Sequence, residues 1–296
     1  MIIAFLSPAM ILYLLVFLYP SIRTFVMSFF AVESVSDKVS SWSFNGLGNY
    51  IKLFNTAIFR QAMWNIFKIW FIGGIGVMLL ALLFAVALTN GMKGVKFYRS
   101  VIYLPNVVSA VAMGTMWINY VYQSDYGLLH NIFSFLHMDK AAQILWTGPD
   151  LLFSSMLIAY CFGMVGYHML IFMSAIEQIP KDYYEVALIE GANVFVRFFK
   201  ITIAFLKGCF RTNIVMWTVS TVGFFVWGQL FSLVNLSNAT VAPMNYMYEL
   251  VFGASSTANT ARDSGAGAAI SVCMMIIVII VFALTNLITK NDEVEM

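Results

Sequence analysis

The chain reads as an all-α integral membrane protein with six membrane-spanning helices. Three observations predict that class. Its 296 residues are 61% hydrophobic and only 10% charged, against roughly 25% charged in a soluble globular domain. Its mean hydropathy of +0.85 reflects more apolar surface than a soluble core of this length buries. The charged residues also leave six uncharged stretches, at 2–22, 69–92, 100–124, 151–176, 212–248 and 264–289. Each is long enough for a ~30 Å hydrocarbon core, which takes ~20 helical residues to cross.

Taken in chain order, the stretches predict spans at about 2–30, 65–91, 100–123, 151–177, 208–234 and 264–289 of a single transmembrane domain, 1–296. The first lacks a basic leader and an Ala-x-Ala-like cleavage site, so it reads as a span and not a signal peptide. Pro8 and Pro20 punctuate it. The second carries Gly73, Gly74 and Gly76, the third Pro105, and the fourth Gly163 and Gly166. Small residues let helix backbones approach closely, and proline kinks a helix. The fifth stretch is too long for one straight helix and reads as a span followed by an outer loop. The sixth runs uninterrupted to Thr289.

Six spans place both termini on one side. The loops 91–99 and 177–211, with the C-terminal tail, hold nine of the Lys and Arg residues, and the longer opposite loops hold seven. The denser basic side is predicted to be cytoplasmic. A net charge of +2 without a dense basic cluster gives no footprint for nucleic acid. Cys161, Cys209 and Cys273 are far apart and show no metal-ligand or redox spacing. His168 is a lone ring in an apolar helix and reads as hydrogen-bonded packing. No phosphate-binding Gly-x-x-x-x-Gly-Lys-Ser/Thr loop and no His-Glu-x-x-His or Gly-x-Ser-x-Gly constellation is present. The chain is therefore not read as an enzyme, and no cofactor or metal is expected on it.

The most specific segment is the charged interval 178–204. Ile179-Pro180-Lys181-Asp182 opens a short helix, with Pro180 suited to its first turn. Tyr184, Ala187 and Leu188 share one face. Glu190 and Gly191 end it, because Gly takes the left-handed conformation of a helix C-cap. Ala192 leads to Asn193, an N-cap for a second helix. On that second helix Phe195, Phe198, Phe199 and Thr202 are expected to face the protein, and Arg197 and Lys200 water.

The pattern Glu185-Val186-Ala187, three residues, Gly191, then Ile201-Thr202-Ile203-Ala204 closely resembles the coupling loop of bacterial ATP-binding-cassette importer permeases. It departs mildly: Val186, Glu190 and Ala204 stand where Ala, Asp and Pro are commoner. The resemblance extends along nearly the whole chain, through Phe5-Leu6-Ser7-Pro8-Ala9, Tyr19-Pro20, Asn45-Gly46-Leu47-Gly48-Asn49-Tyr50, Arg99 to Pro105, Trp117, Gly127-Leu128-Leu129, Ala239-Thr240 and Gly265 to Ala269. A Gly-Gly-Pro stretch common in the family is missing where Leu233 to Asn238 stand. These segments are similar to the maltose and glycerol-phosphate subfamily, and to the first permease subunit of its pairs.

The resemblance implies a type I importer permease fold in a bacterial cytoplasmic membrane. It implies a second, homologous permease as heterodimer partner, two ATPase subunits that hold ATP and Mg, and an extracytoplasmic solute-binding protein. It assigns ATPase coupling to Tyr184, Glu185, Ala187, Leu188, Glu190, Gly191 and Ala192. It also places a substrate pathway between the fourth and fifth helices. There Tyr160, Gly163, Met164 and Tyr167 share one helix face, and Trp217, Ser220, Thr221 and Phe224 share another. These groups are neutral, aromatic and hydroxyl-bearing, which suits a neutral sugar. A rival within the family is glycerol phosphate or another small anion, opposed by the missing midplane cation. A stand-alone secondary transporter would need an intramembrane carboxylate or an inverted repeat, and neither is visible.

Overall fold

The structure is a computed structural model, and it describes residues 2–232, 238–253 and 262–289. The stretch 233–237, Lys290 and the last two residues of the expected fifth span lie outside the described residues.

The described residues are mostly helical. Helix α1, Phe5–Met27, is followed by α2, Gly48–Asn55, and α3, Ala57–Thr89. Next come α4, Val95–Val107, and α5, Ala110–Val121, then α6, Leu128–Phe135, and α7, Leu152–Glu177. Helix α8, Lys181–Ile189, precedes a composite helix α9 over 194–205. Helices α10, Lys207–Val222, α11, Val226–Phe231, α12, Pro243–Phe252, and α13, Ser264–Thr289, complete the order. Strands β1, Phe30–Ala31, and β2, Ser43–Phe44, pair antiparallel with Phe30 opposite Phe44.

Among the described residues, α1, α3, α7 and α13 are each long and apolar enough to cross a membrane. The pair α4–α5 adds a fifth crossing if its two parts form one span. The expected continuous helix over 100–123 is instead broken, with a bend of 98°. Val108 and Ser109 are extended, and the Ser109 hydroxyl caps the new helix by accepting from Ala112 N at 3.3 Å. The expected span over 208–234 is also divided. Helix α10 has 16 residues, about 24 Å at ~1.5 Å per residue. It stops at Gly223, where Phe224 N–H closes a tight turn onto Thr221 O at 3.0 Å and the Phe224 ring is buried. Helix α3 starts eight residues before the expected 65, and its added turns carry exposed Arg60 and half-buried Gln61 ahead of buried Asn65, whose amide donates to Val241 O at 3.0 Å.

The second proline of α1, Pro20, leaves a visible mark. Residues Tyr13–Leu18 form a π turn directly before Tyr19 and Pro20. Pro20 lacks an N–H, and its ring crowds the carbonyl four residues back, so the wider turn absorbs the conflict.

The described residues divide into two compact units. In the first, Met1–Asn65 with Val234–Ile277, Met27, Val32 and Ala268 form a small core flanked by Phe30 and Trp42. Asn49 is buried and donates to Ser28 O at 2.9 Å and Phe30 O at 2.8 Å. Tyr50 Oη donates to Ser28 Oγ at 2.7 Å. The start of α13 is tied to the same strand, with Gly265 N on Val32 O at 3.0 Å. A Cβ at Gly265 would press on the Phe30 carbonyl, so this close approach requires glycine. Asp263 Oδ1 caps α13 through Ala266 N and its Oδ2 takes Lys52 Nζ at 2.6 Å.

In the second unit, Ile66–Leu233 with Val278–Met296, α7 is the central helix. It packs against α3, α4 and α10. Met156, Met169, Phe172 and Met173 of α7 and Val77, Ala81 and Ala85 of α3 are fully or almost fully buried. A Cβ at Gly166 would meet the Ile102 carbonyl, so α4 lies directly on that glycine.

Candidate transport pathway and the loop after α7

Helices α7 and α10 bring the predicted pathway residues to one interface. Tyr160 is buried and its ring centroid lies 5.4 Å from Trp217 and 4.9 Å from Phe224, the latter edge-on. Trp227 of α11 joins at 5.9 Å. Gly163 is buried and its carbonyl accepts from Asn106 Nδ2 at 3.2 Å, while Met164 is half-buried. Thr221 is buried beside the ring cluster and Ser220 is half-buried. Tyr160 Oη and Thr221 Oγ1 are buried beside one another, and His168 Nε2 is buried without a hydrogen-bond partner among the described residues.

Trp217 is held by groups that sequence reasoning did not single out. Its indole N–H donates to Trp70 O at 2.8 Å, and the Trp70 indole donates to Thr218 Oγ1 at 2.8 Å. The Trp70 carbonyl lies in a π turn, Ile69–Gly73, whose altered ladder presents backbone groups to a neighbour. Gly73 and Gly74 then let the indole approach: a Cβ on Gly74 would stand 2.7 Å from Trp217 Nε1. The sequence signalled the glycines but not the turn. His168 is paired as its burial demands, with Nδ1 2.7 Å from Asn213 Oδ1. The amide oxygen can only accept, which puts the proton on Nδ1. Asn213 Nδ2 donates onward to Cys209 O at 3.1 Å.

Tyr167 lies elsewhere. It is half-buried and lines an open cavity of about 610 Å³, with Tyr103, Ser174, Gln178, Cys209 and Thr212 among its walls. Residues 160, 163, 164, 167, 171, 174 and 178 recur at three- and four-residue steps, so one face of α7 runs from the ring cluster to this cavity.

The loop after α7 has a defined local geometry. Pro180 caps α8 from just outside, accepting from Tyr183 N at 3.3 Å. The helix closes at Gly191, whose φ is +76°. Ala192 N–H reaches back to Ala187 O at 2.8 Å and Gly191 N–H to Leu188 O at 3.0 Å, the paired bonds of a Schellman ending. Asn193 Oδ1 accepts from Val196 N at 2.8 Å and starts α9. Tyr184 Oη meets Thr202 Oγ1 at 2.9 Å and holds the two helices together. Tyr184, Ala187 and Ala192 are half-buried, and Glu185, Leu188, Glu190 and Gly191 are exposed.

One expected face is corrected. Thr202 is buried and Phe198 half-buried, but Phe195 and Phe199 are exposed and Arg197 is half-buried. Residues Phe198–Thr202 form a π turn, which takes more residues per turn and rotates the face that α-helical spacing assigns.

Among the described residues no cluster of His, Cys, Asp or Glu is arranged to hold a metal. The chain is similar to the arabinooligosaccharides transport system permease protein AraP of Halalkalibacterium halodurans, 28% identical over 97% of this chain and 88% of that protein. It is 32% identical to the probable ABC transporter permease protein YesP of Bacillus subtilis over 222 residues, 73% of this chain and 68% of that one. Its fold matches a bacterial ABC transporter involved in the import of the acidic polysaccharide alginate, with a TM-score of 0.79 over 98% of this chain and 95% of that chain at 17% identity. No family model matches the chain. The identity to YesP over that length, with AraP aligned almost end to end and the same fold throughout, shows that the chain belongs to the permease family of ATP-binding-cassette transporters.

Proposed function

We propose that this permease is one subunit of an oligosaccharide importer in a bacterial cytoplasmic membrane, with six spans and both termini cytoplasmic. The fifth span in chain order, which completes the six, is α10 with α11 in this reading. A second permease completes the channel, a solute-binding protein delivers sugar from outside, and two partner ATPases hold ATP and Mg. Exposed Glu185, Leu188, Glu190 and Gly191 of the loop dock the ATPase, with Tyr184, Ala187 and Ala192 packed behind them. Movement of that loop passes along α7 and α10.

The observation that carries the substrate class is the interface between α7 and α10. It offers aromatic rings and the adjacent buried hydroxyls of Tyr160 and Thr221, and no charged side chain lies on the α7 face from Tyr160 to Tyr167. Rings stack on the C–H faces of a sugar, and its hydroxyls meet Tyr160 Oη and Thr221 Oγ1 once the helices part. In the packed arrangement Tyr160, Trp217, Thr221 and Phe224 are closed against one another, Gly163, Met164 and Ser220 flank them, and Tyr167 lines the open cavity further along α7. AraP, whose name gives arabinooligosaccharides as its cargo, is consistent with this class.

The test is uptake by membrane vesicles holding the whole complex, with labelled arabinotriose, lactose, diacetylchitobiose and glycerol 3-phosphate. One or more neutral sugars should enter, and Tyr167→Ala should lower that uptake strongly while complex assembly and basal ATPase activity persist. Uptake of glycerol 3-phosphate alone would overturn the neutral reading. Unchanged sugar uptake in Tyr167→Ala would remove that residue from the pathway.

A further inference from the structure

The cavity that Tyr167 lines lies further along the α7 face than the ring cluster. It sits where α7 enters the loop and α9 leads into α10, and Ile179 and Phe205 close it on the loop side. Its size, about 610 Å³, is that of a small-molecule site. Its walls combine apolar side chains with the hydroxyls of Tyr103, Tyr167, Ser174 and Thr212 and the amide of Gln178. Ser174, Gln178 and Thr212 are exposed to it. Among the described residues no Lys, Arg, Asp or Glu lines it.

We infer that this cavity is a second sugar subsite, on the coupling-loop side, which holds a neutral pyranose or furanose ring as it leaves the pathway. The inference rests on the sugar-importer reading above and adds an exit-side site to it. The chemistry is that of carbohydrate recognition: flat apolar walls for the C–H face and neutral donors and acceptors around them. Gln178 and Thr212 are the positioning groups. They come from different elements that line the cavity, one at the end of α7 and one in the first turns of α10. Continuity supports the placement, because the α7 face that carries Tyr160 and Met164 continues through Tyr167 to Ser174 and Gln178. A ring bound there also touches the root of the loop at Ile179 and Phe205. Occupancy from the inner side therefore opposes movement of the loop, and accumulated product should slow further import.

Gly208 supplies a reporter. It lines the cavity and is exposed, and a Cβ built on it meets nothing within 4 Å. In the complete complex, Gly208→Cys is combined with Cys161→Ser, Cys209→Ser and Cys273→Ser. Labelling by an impermeant maleimide is followed in inside-out vesicles without binding protein. The sugar that the wild-type complex imports, chosen from arabinotriose, lactose and diacetylchitobiose, is added to the exposed face. At a concentration several times its dissociation constant it should slow labelling about fivefold. Gln178→Ala and Thr212→Val should each abolish most of that protection. Labelling unaffected by the imported sugar overturns the subsite and leaves the importer reading standing. Protection that survives in both variants overturns the assignment of Gln178 and Thr212. Import of, and protection by, glycerol 3-phosphate with no neutral sugar active overturns both readings together.

Discussion

Two glycines show how differently a missing side chain can matter. Gly191 sits in open space at φ +76°, so the constraint there is conformational. Gly191→Val should strain the loop by ~1–2 kcal/mol. It should uncouple ATP hydrolysis from uptake while the protein still inserts, and Gly191→Asn should recover part of the loss because Asn tolerates that conformation. Vesicle uptake and ATPase assays on the three proteins decide it, and full coupling in the Val variant would refute a conformational role. Gly74 has ordinary backbone angles, and its constraint is space. Gly74→Ala places a methyl against the Trp217 indole. Overpacking of this kind costs about 1–3 kcal/mol, which should appear as a lower thermal midpoint of the detergent-solubilised protein. The loss should also weaken the Trp217–Trp70 bond, visible as a change in tryptophan fluorescence.

At the scale of elements, α7 and α10 are joined by a buried polar pair, His168 and Asn213. Asn213→Leu strands the His168 Nδ1 proton in an apolar interior, at a cost of about 1–3 kcal/mol. The double variant His168→Phe with Asn213→Leu should be less destabilised than the sum of the singles, because it removes both partners. Thermal midpoints of the four proteins close the cycle, and strict additivity would mean that the pair contributes nothing as a pair. Helix α12 carries a different device. Burial pushes the Glu249 carboxyl above the usual carboxylate range. A raised acid favours the neutral form in the folded state, so its stabilising contribution is complete below the unfolded value. That contribution fades as pH rises through the folded one. Glu249→Gln should therefore raise the thermal midpoint at neutral pH and leave it unchanged in acid.

At the scale of the whole molecule, the proposal turns on a loop that transmits force to the helices behind it. The Tyr184–Thr202 bond and the Schellman ending at Gly191 tie α8 to α9. Glu185 stands exposed on its outer surface. Glu185→Lys should reduce the amount of ATPase that co-purifies with the permease pair without changing membrane insertion. Normal stoichiometry and normal uptake in that variant would show that the carboxylate only faces water.

The amino-acid sequence by itself determined the class. Apolar runs interrupted by sparse charges admit only helices in a bilayer, because every backbone group must be satisfied within its own segment. The spacing of Glu185, Ala187 and Gly191 pointed to the permease family, as did the motifs spread from Phe5 to Ala269. Helix-ending chemistry at Gly191 and Asn193 was also legible, since it depends on neighbours a few residues away. The tertiary structure alone decided the rest. It broke the helix at Val108 and Ser109, ended α10 at Gly223, and turned the Phe224 ring into the core against Tyr160. It set π turns at Ile69–Gly73 and Phe198–Thr202, one presenting a carbonyl to Trp217 and the other rotating Phe195 and Phe199 outward. It paired His168 with Asn213 and Asn49 with the strand after α1, partners 45 and 19 to 21 residues distant. None of these follows from periodicity. Each arises where two elements meet, and a buried donor, a carbonyl or a ring edge must find its partner across the gap.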